Sequence, residues 1–420
     1  MRIGATLIDR LAEAADEVLR LDRPADRVLS AFFRAHDELG RQDRAFVAET
    51  VYAVLRRLRM LQHAAATANP RRLALAALVL VRGHSVRELE GAVARRDLEW
   101  LAGVKAAAAA ELPFEVACDL PDWIVARLRA ERDDAAIATL AAALNRPAPL
   151  DLRVNVAKAE RDAVAARFAG EGIRAAPTPY SPWGLRLPDK PPLARHGLFV
   201  DGTVEVQDEG SQLLCVLTGA RRGEMVVDFC AGAGGKTLAL GAAMRSTGRV
   251  YAFDVSEKRL AKLKPRVARS GLSNVHAQRI DSERDPRVRR LAGKVDRVLV
   301  DAPCSGLGTL RRNPDLKWRQ RPEDLAELAA KQAAILAAAA ALVKPGGRLV
   351  YATCSLLAEE NERVAEAFLA AHPGFEQRSA AEVLREARVE VPGQRDDYLR
   401  LAPDMHDTDG FFACVMERVS

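Results

Sequence analysis

Apolar side chains recur at helical spacing through the first 145 residues of the chain. Over residues 43–62, with Asp43 as the expected N-cap, they form a stripe on one helical face: Val47, Val51, Val54, Leu55, Leu58 and Leu61. The same pattern predicts helices over 24–37, 70–81, 85–93 and 122–144. The first part of the chain is therefore predicted to be all-helical.

A proline-rich stretch, NRPAP at 145–149, interrupts the helical pattern. After it, the sequence predicts a strand over 150–156, a helix over 160–169 and short strands over 185–187 and 198–200. We interpret residues 146–203 as a small α/β subdomain.

From residue 204 onward, strand patterns alternate with helical patterns. Strands are predicted over 225–230, 249–255, 275–281, 295–301, 347–353 and 411–417, and helices over 237–244, 257–270, 322–342 and 359–371. Such alternation is typical of a mostly parallel sheet with helices on both faces. The last strand follows a long loop and is expected as an antiparallel addition at the edge. The predicted domains are thus 1–145, 146–203 and 204–420.

Composition narrows the function classes. The 420 residues carry a net charge of +6, which favours a polyanionic partner, although a solvated basic surface would give the same excess. The six cysteines include no CxxC pair, which argues for a reducing compartment and against a disulfide framework or a zinc site. No signal peptide is recognisable, and the longest apolar runs are too short to span a bilayer. We therefore expect a soluble cytoplasmic protein.

A glycine-rich loop, VVDFCAGAGGKT, follows the first strand of the third domain. Glycines let the backbone approach a ligand at a helix N-terminus. A Walker loop would need glycine at Cys230, and a dinucleotide fingerprint would need it at Thr237. A nucleoside that carries a carboxylate, as S-adenosylmethionine does, remains as the ligand, with a plain tight turn as the alternative.

Three acids end successive strands beyond this loop. Asp254 is where a carboxylate binds ribose hydroxyls, Asp281 is within reach of an adenine amine, and Asp301 ends the fourth strand. One such acid could be a helix cap, but acids on successive strand ends favour a ligand cleft.

Two thiols follow strands near the same predicted edge, Cys304 in DAPCSGLG and Cys354 in YATCS. Buried cysteines are most often small apolar residues, which is our interpretation of Cys118, Cys215 and Cys414. An acid and a thiolate near a methyl donor suggest attack on a pyrimidine, because a thiolate added to cytosine C6 makes C5 nucleophilic. No histidine or carboxylate stands at ligand spacing from either thiol, so no metal is expected.

The segment TLRRNPDLKWRQR, at 309–321, combines cations with an aromatic residue. Such a combination suits single-stranded nucleic acid, although a solvated basic loop would look the same. The predicted RNA-binding residues are Arg311, Arg312, Lys317, Trp318 and Arg319.

Four motifs, in order, resemble the Nop/Sun-type RNA cytosine-5 methyltransferases: DFCAGAGGKT, DAPCSGLGTLRRNPD, KPGGRLVYATCSLLAEENE and DGFFACVMER. The N-terminal GRQDRAFVAETVYAVLR is similar to the NusB-like RNA-binding domain of a bacterial member. The resemblance implies a Rossmann-like class I methyltransferase domain preceded by an all-α NusB-like domain and a small α/β insert.

The resemblance also implies residue roles. Cys354 matches the family nucleophile and Cys304 the cysteine that assists product release; DNA cytosine-5 methyltransferases use the proline-cysteine thiol as nucleophile instead. Lys236 and Asp301 could orient the cytosine. Ala233 replaces a proline that is frequent in the family. The implied S-adenosylmethionine site comprises Cys230, Ala231, Gly232, Ala233, Gly234, Gly235, Lys236, Asp254, Asp281 and Asp301.

The expected function is formation of 5-methylcytosine in 16S ribosomal RNA, with S-adenosylmethionine as cofactor and no need for more than a monomer. Transfer RNA is an alternative substrate. A non-enzymatic RNA-binding or ribosome-assembly factor is the alternative from another class.

Overall fold

The structure, a computed structural model, describes residues 3–108, 111–394 and 396–420. The chain divides into two compact units. One comprises Met1–Pro147 together with Thr309–Pro322, and the other comprises Ala148–Gly308 together with Glu323–Ser420. Residues 309–322, predicted to belong to the third domain, pack instead with the helices of the first unit.

The first unit is helical over its described residues. Its core consists of aliphatic side chains such as Leu11, Val47 and Leu78. The helices are α1 (Ala5–Leu19), α2 (Ala25–Ala35), α3 (Arg41–Arg56), α4 (Leu58–Ala65), α5 (Pro70–Leu80), α6 (Arg95–Ala107), α7 (Phe114–Cys118), α8 (Asp122–Leu128), α9 (Asp134–Leu144) and α16 (Leu316–Arg319).

Three predicted helices differ from the observed ones. The 43–62 stripe is split at Arg57, whose side chain pairs with the buried Asp119 at 3.1 Å. The predicted helix over 122–144 is also split, because Asp133 caps a second helix by accepting from the N–H of Ala136. Residues 85–93 contain only a short 3₁₀ turn, Val86–Leu89. Apolar spacing alone does not detect such breaks.

The predicted N-cap at Asp43 is also wrong. Gly40 occupies the N-cap position of α3, and Asp43 is the third residue of the helix, where its carboxylate accepts from the N–H of Gly40. The carboxylate therefore still satisfies a donor at the helix start, as the third residue of a capping box does.

The second unit begins with a small antiparallel sheet in the order β2-β3-β1-β4. Its elements are β1 (Leu150–Val154), α10 (Arg161–Gly170), β2 (Ala176–Pro177), β3 (Gly184–Leu187), α11 (Gly197–Val200) and β4 (Val204–Val206). Residues 198–200, predicted as a strand, are helical, and the His196 side chain caps them by accepting from the N–H of Leu198. Strand β4 lies beyond the predicted subdomain boundary at residue 203.

The larger sheet has the order β10-β12-β9-β8-β5-β6-β7, and one further strand, β11, pairs with β12. Strands β5 to β9 are mutually parallel. The strands are β5 (Met225–Asp228), β6 (Arg249–Asp254), β7 (Val275–Arg279), β8 (Val295–Asp301), β9 (Val343–Thr353), β10 (Phe375–Arg378), β11 (Leu399–Leu401) and β12 (Phe411–Arg418).

The last strand is antiparallel as predicted, but it is not at the edge. β12 pairs with β9 on one side and with β10 on the other. β10 gives no strand signal in the sequence because it is only four residues long and half-exposed. The edge position therefore belongs to β10.

The remaining helices belong to the second unit: α12 (Glu209–Thr218), α13 (Gly235–Ala243), α14 (Glu257–Ser270), α15 (Pro286–Arg289), α17 (Asp324–Ala340), α18 (Glu362–Ala371), α19 (Ala380–Glu386) and α20 (Pro403–His406). The central strands are apolar and buried, as strands covered on both faces are. Among the described residues, no helix combines the length and the apolar character needed to cross a membrane.

Candidate active site

A cleft of about 500 Å³ lies within the second unit at the carboxyl ends of the parallel strands. Open α/β sheets place their ligands at this edge. The residues predicted from the sequence that line it are Cys230, Ala231, Gly232, Ala233, Gly235, Lys236, Asp254, Asp301, Cys304 and Cys354. The structure thus brings most of the predicted site together around one cavity.

Glycine is required in the loop before α13. Gly234 has a φ of +83°, and a Cβ at this position would be 2.1 Å from Cδ1 of Leu263. Gly232 also has a positive φ, and its N–H donates to Oδ2 of Asp254 at 2.8 Å. The loop is therefore attached to the end of β6, with Asp254 held between this N–H and that of Ser256.

Asp281 and Gly234 are the two predicted cofactor residues that do not line the cleft. The side chain of Asp281 is 68% exposed and pairs with Arg279 at 3.0 Å. Its neighbours Ile280 and Glu283 line the cleft instead. The adenine contact assigned to Asp281 remains a prediction from the sequence.

Lys236 and Asp301 form an ion pair at the wall of the cleft, with 2.7 Å between Nζ and Oδ2. Burial acts to lower the pKa of Lys236, but the charge of Asp301 and the hydrogen bond to it outweigh burial and raise that pKa above its ordinary value. Lys236 is therefore a protonated donor at the cleft at neutral pH.

Asp228, at the end of β5, is a site residue that the sequence analysis did not name. It is buried and accepts from the hydroxyl of Thr237 at 2.7 Å through Oδ2, while Oδ1 has no hydrogen-bond partner among the described residues. Burial raises the pKa of Asp228 to about 6. The signal available in the sequence was its place at a strand end that leads into the glycines, since Asp254 and Asp301 also end strands.

The two thiols meet at the cleft, with 3.3 Å between the sulfurs of Cys304 and Cys354. They follow the adjacent parallel strands β8 and β9, which pair Asp301 with Ala352. The N–H of Gly308 donates to the carbonyl of Cys354 at 2.8 Å. A Cβ on Gly308 would be 2.1 Å from the carbonyl oxygen of Gly410, so only glycine fits this turn.

The environment distinguishes Cys304 from an ordinary thiol. Its hydrogen bond with Cys354, its burial and neighbouring negative charge together raise the pKa of Cys304 well above the ordinary value. Cys118, Cys215 and Cys414 are buried, as expected for apolar core residues, whereas Cys230 reaches the cleft.

The basic segment predicted to bind RNA is part of the helical unit. Lys317 is 1% exposed, and its amine donates to the carbonyl of Arg56 and to Oδ1 of Asn145. The indole of Trp318 donates to the carbonyl of Leu55.

The other three cations predicted to bind RNA are at least partly covered, whereas Arg321 at the end of the segment is exposed. Arg311 is buried, Arg312 is half-buried, and Arg319 pairs with Asp315 at 3.3 Å. An RNA contact by this segment remains a prediction, and Lys317 already has protein partners.

Comparison with known proteins identifies two regions. Residues 215–417 match the family model "16S rRNA methyltransferase RsmB/F", and residues 120–194 match the ferredoxin-like domain of RsmF/B-like methyltransferases. The chain is 37% identical over 278 residues to "Probable ribosomal RNA small subunit methyltransferase B" of Bacillus subtilis, covering 65% of this chain and 60% of that protein. It is 36% identical over 293 residues to "Ribosomal RNA small subunit methyltransferase B" of Salmonella typhi, covering 70% of this chain and 65% of that protein. The matches therefore span less than two thirds of these relatives' length.

Solved structures agree on the fold. The protein PH0851 superposes over 100% of both chains with a TM-score of 0.79 and 25% identity. A methyltransferase homolog protein from Pyrococcus horikoshii covers 71% of this chain and 100% of its own, with a TM-score of 0.58 and 27% identity. The predicted α/β class with a Rossmann-like methyltransferase sheet is confirmed.

The cofactor of this methyltransferase class is S-adenosylmethionine, and the cleft suits it. The glycine-rich loop leaves room for close approach, Asp254 ends β6, and the unpartnered buried oxygen of Asp228 would be satisfied by a cationic ligand. The motifs, the fold and the matched family models agree: the chain belongs to the RsmB/F family, within the Nop/Sun type that the motifs predicted.

Proposed function

We propose that this protein uses S-adenosylmethionine to form 5-methylcytosine in 16S ribosomal RNA through a covalent cysteine adduct. The observation that carries the proposal is the pair of thiols, 3.3 Å apart, on the wall of the cleft that also holds the glycine-rich loop. The relatives named as small-subunit ribosomal RNA methyltransferases favour 16S RNA over transfer RNA.

The cofactor would be held by the loop from Cys230 to Lys236, with Asp254 on its ribose hydroxyls and Asp228 near its positive charge. When bound, it supplies a methyl group as an electrophile. The protein's part is to hold the cytosine beside it and to raise the nucleophilicity of C5.

Cys354 acts as the nucleophile. Its thiolate forms a bond to C6 of the cytosine, and the electron pair of the C5–C6 double bond becomes available at C5, which takes the methyl group. The C5 proton then leaves to solvent, the double bond re-forms, and the sulfur–C6 bond breaks to regenerate the thiolate. The methyl group thus replaces the C5 proton, the bond broken to supply it is the methyl–sulfur bond of the donor, and the enzyme is unchanged.

Three other side chains assist. Lys236 remains protonated beside Asp301 and donates to the polar edge of the cytosine, which withdraws electrons as the thiolate adds. Asp301 holds Lys236 and accepts a hydrogen bond from the cytosine. Cys304 assists the elimination, a role supported by its sulfur being in contact with that of Cys354.

The test compares wild type, Cys354→Ala and Cys304→Ala with small-subunit ribosomal RNA and methyl-labelled S-adenosylmethionine. We expect Cys354→Ala to abolish labelling and Cys304→Ala to accumulate a protein–RNA adduct that survives denaturant. Cys414→Ala, which removes a buried thiol from β12, is the matched control and should retain activity.

Other outcomes would redirect the proposal. If Cys304→Ala is the only variant that loses labelling, and if it forms no adduct, then Cys304 is the nucleophile and Cys354 the thiol that assists release. Labelling of transfer RNA in preference to ribosomal RNA would change the substrate. No transfer by wild type to any RNA would favour a binding or assembly factor.

A further inference from the structure

A buried carboxyl group lies directly behind the two thiols. Glu360 is 0% exposed and accepts hydrogen bonds from the N–H of Ser305 at 2.8 Å and from the hydroxyls of Ser305 and Ser355 at 2.5 Å each. Ser305 directly follows Cys304, and Ser355 directly follows Cys354. One side chain therefore joins the two turns that carry the thiols.

A second contact extends the connection to the residue before Cys304. The amide of Gln332 on α17 donates to Oε1 of Glu360 at 3.1 Å and to the carbonyl of Pro303 at 2.9 Å. The turn that carries Cys304 is thus held on both sides of the thiol. Hydrogen bonds to a charged acceptor in a buried site are among the strongest that a protein makes.

The same carboxyl group adds negative charge near the thiols. Cys304 is faced by Cys354, by Glu360 and by the hydroxyl of Tyr351, which donates to the carbonyl of Glu360. Lys236 and Asp301 line the same cleft. The charge of Glu360 contributes, after the Cys354 hydrogen bond, burial and the Cys354 charge, to raising the pKa of Cys304.

We propose that Glu360 is the positioning residue that sets the spacing of the two thiols through Ser305 and Ser355 and keeps Cys304 the less reactive of the two. Glu360 does not line the cleft and acts through Ser305 and Ser355. The proposal rests on the proposed function only for the catalytic roles of the thiols.

The test measures thiol reactivity in the full chain without RNA or cofactor. Wild type and Glu360→Gln are treated with iodoacetamide between pH 6 and 10, and alkylation of each cysteine is followed by peptide mass spectrometry. In wild type we expect Cys304 to react about tenfold more slowly than Cys354 at pH 8, because thiolate is the reactive form. In Glu360→Gln the ratio should fall to roughly threefold or less, because removal of the negative charge beside Cys304 lets that thiol ionise more readily.

Glu209→Gln is the matched control. Glu209 is equally buried and accepts from the N–H groups of Tyr180 and Ser181, but it contacts neither thiol turn. The variant should leave both alkylation profiles as in wild type. Equal changes in both variants would show a general loss of packing and would overturn the proposal.

Ser305→Ala and Ser355→Ala give a second measurement if Glu360→Gln does not fold. Each removes one donor and keeps the carboxyl group, so each should reduce the ratio less than Glu360→Gln would. An unchanged ratio in both serine variants, or in a folded Glu360→Gln, would overturn the proposal. If the alkylation ratios are as expected in wild type and in Glu360→Gln but wild type transfers no methyl group to RNA, the proposed function is contradicted and the role of Glu360 stands.

Discussion

Replacing Asp228 with asparagine should stabilise the protein, relative to wild type, more at neutral pH than at acid pH. The carboxyl group is buried, it receives one hydrogen bond from Thr237, and its other oxygen has no partner among the described residues. Burial raises its pKa from 3.8 to about 6, so ionisation is costly in the folded state. Asparagine keeps the shape without the charge.

The magnitude follows from the difference in pKa between the folded and the unfolded chain. Each unit is worth about 1.4 kcal/mol, so the ionised carboxylate costs about 3 kcal/mol once the pH exceeds the folded value of about 6. Below pH 3.8 both states are protonated and the cost is absent. At pH 5 roughly half of it, about 1.5 kcal/mol, has developed. Wild type therefore loses stability at this site as the pH rises from about 4 to 6, and the variant does not.

The assay compares thermal unfolding midpoints of wild type and Asp228→Asn at pH 5 and pH 8. For a cooperative unit of this size, 1 kcal/mol is worth about 2–4 °C, so the variant should gain roughly 3–6 °C on wild type between the two pH values. The constant cost of an unpaired amide cancels in this comparison.

Asp296→Asn is the control of opposite sign. Burial acts against the charge of Asp296, but hydrogen bonds from Lys344 and from the N–H of Met225 outweigh burial and lower its pKa. The stability that Asp296 contributes is therefore present at neutral pH and lost in acid. A variant-minus-wild-type difference for Asp228→Asn that is constant, or that falls as the pH rises, would refute the reasoning.

Four further outcomes are expected. Asp228→Asn should bind S-adenosylmethionine at least about tenfold more weakly by calorimetry, because the buried acceptor charge is lost; equal affinity would place the cofactor's charge elsewhere. Gly308→Ala should cost at least about 2 kcal/mol in denaturant unfolding, because its Cβ would overlap the Gly410 carbonyl, whereas Gly293→Ala, which has open space but a positive φ, should cost only about 1 kcal/mol. Lys236→Met should lower methyl transfer about 100-fold or more while the fold is retained, since it removes the protonated donor beside Asp301; near-normal turnover would exclude that role. Lys317→Met should leave the salt dependence of RNA binding unchanged, because this amine is buried against protein acceptors. A slope of log affinity against log salt concentration that is smaller by about one would show that Lys317 contacts phosphate. Arg321→Met, which removes an exposed cation from the same segment, gives the comparison.

Some elements could be predicted closely because their signals are local. The helix Glu257–Ser270 and the strand Val295–Asp301 have their predicted bounds. The helix is marked by its capping residues and apolar periodicity and the strand by an apolar run, and each signal lies within one stretch of chain. The glycine-rich loop is equally local in its signal, because a run of glycines in one short stretch marks backbone such as that of Gly234, with a φ of +83°. The family and the methyltransferase fold follow from such motifs.

Tertiary structure alone decided the features that depend on distant partners. β12 is interior rather than at the edge because β10, which α19, β11 and α20 separate from it along the chain, pairs with its outer side. Thr309–Pro322 joins the helical unit because Trp318 and Lys317 find acceptors on Leu55 and Arg56. The unpartnered oxygen of Asp228 and the carboxyl of Glu360 between two serines are likewise invisible in the sequence. Local spacing determines periodicity and turn chemistry, whereas burial, charge pairing and the meeting of two thiols are set by which segments the fold brings together.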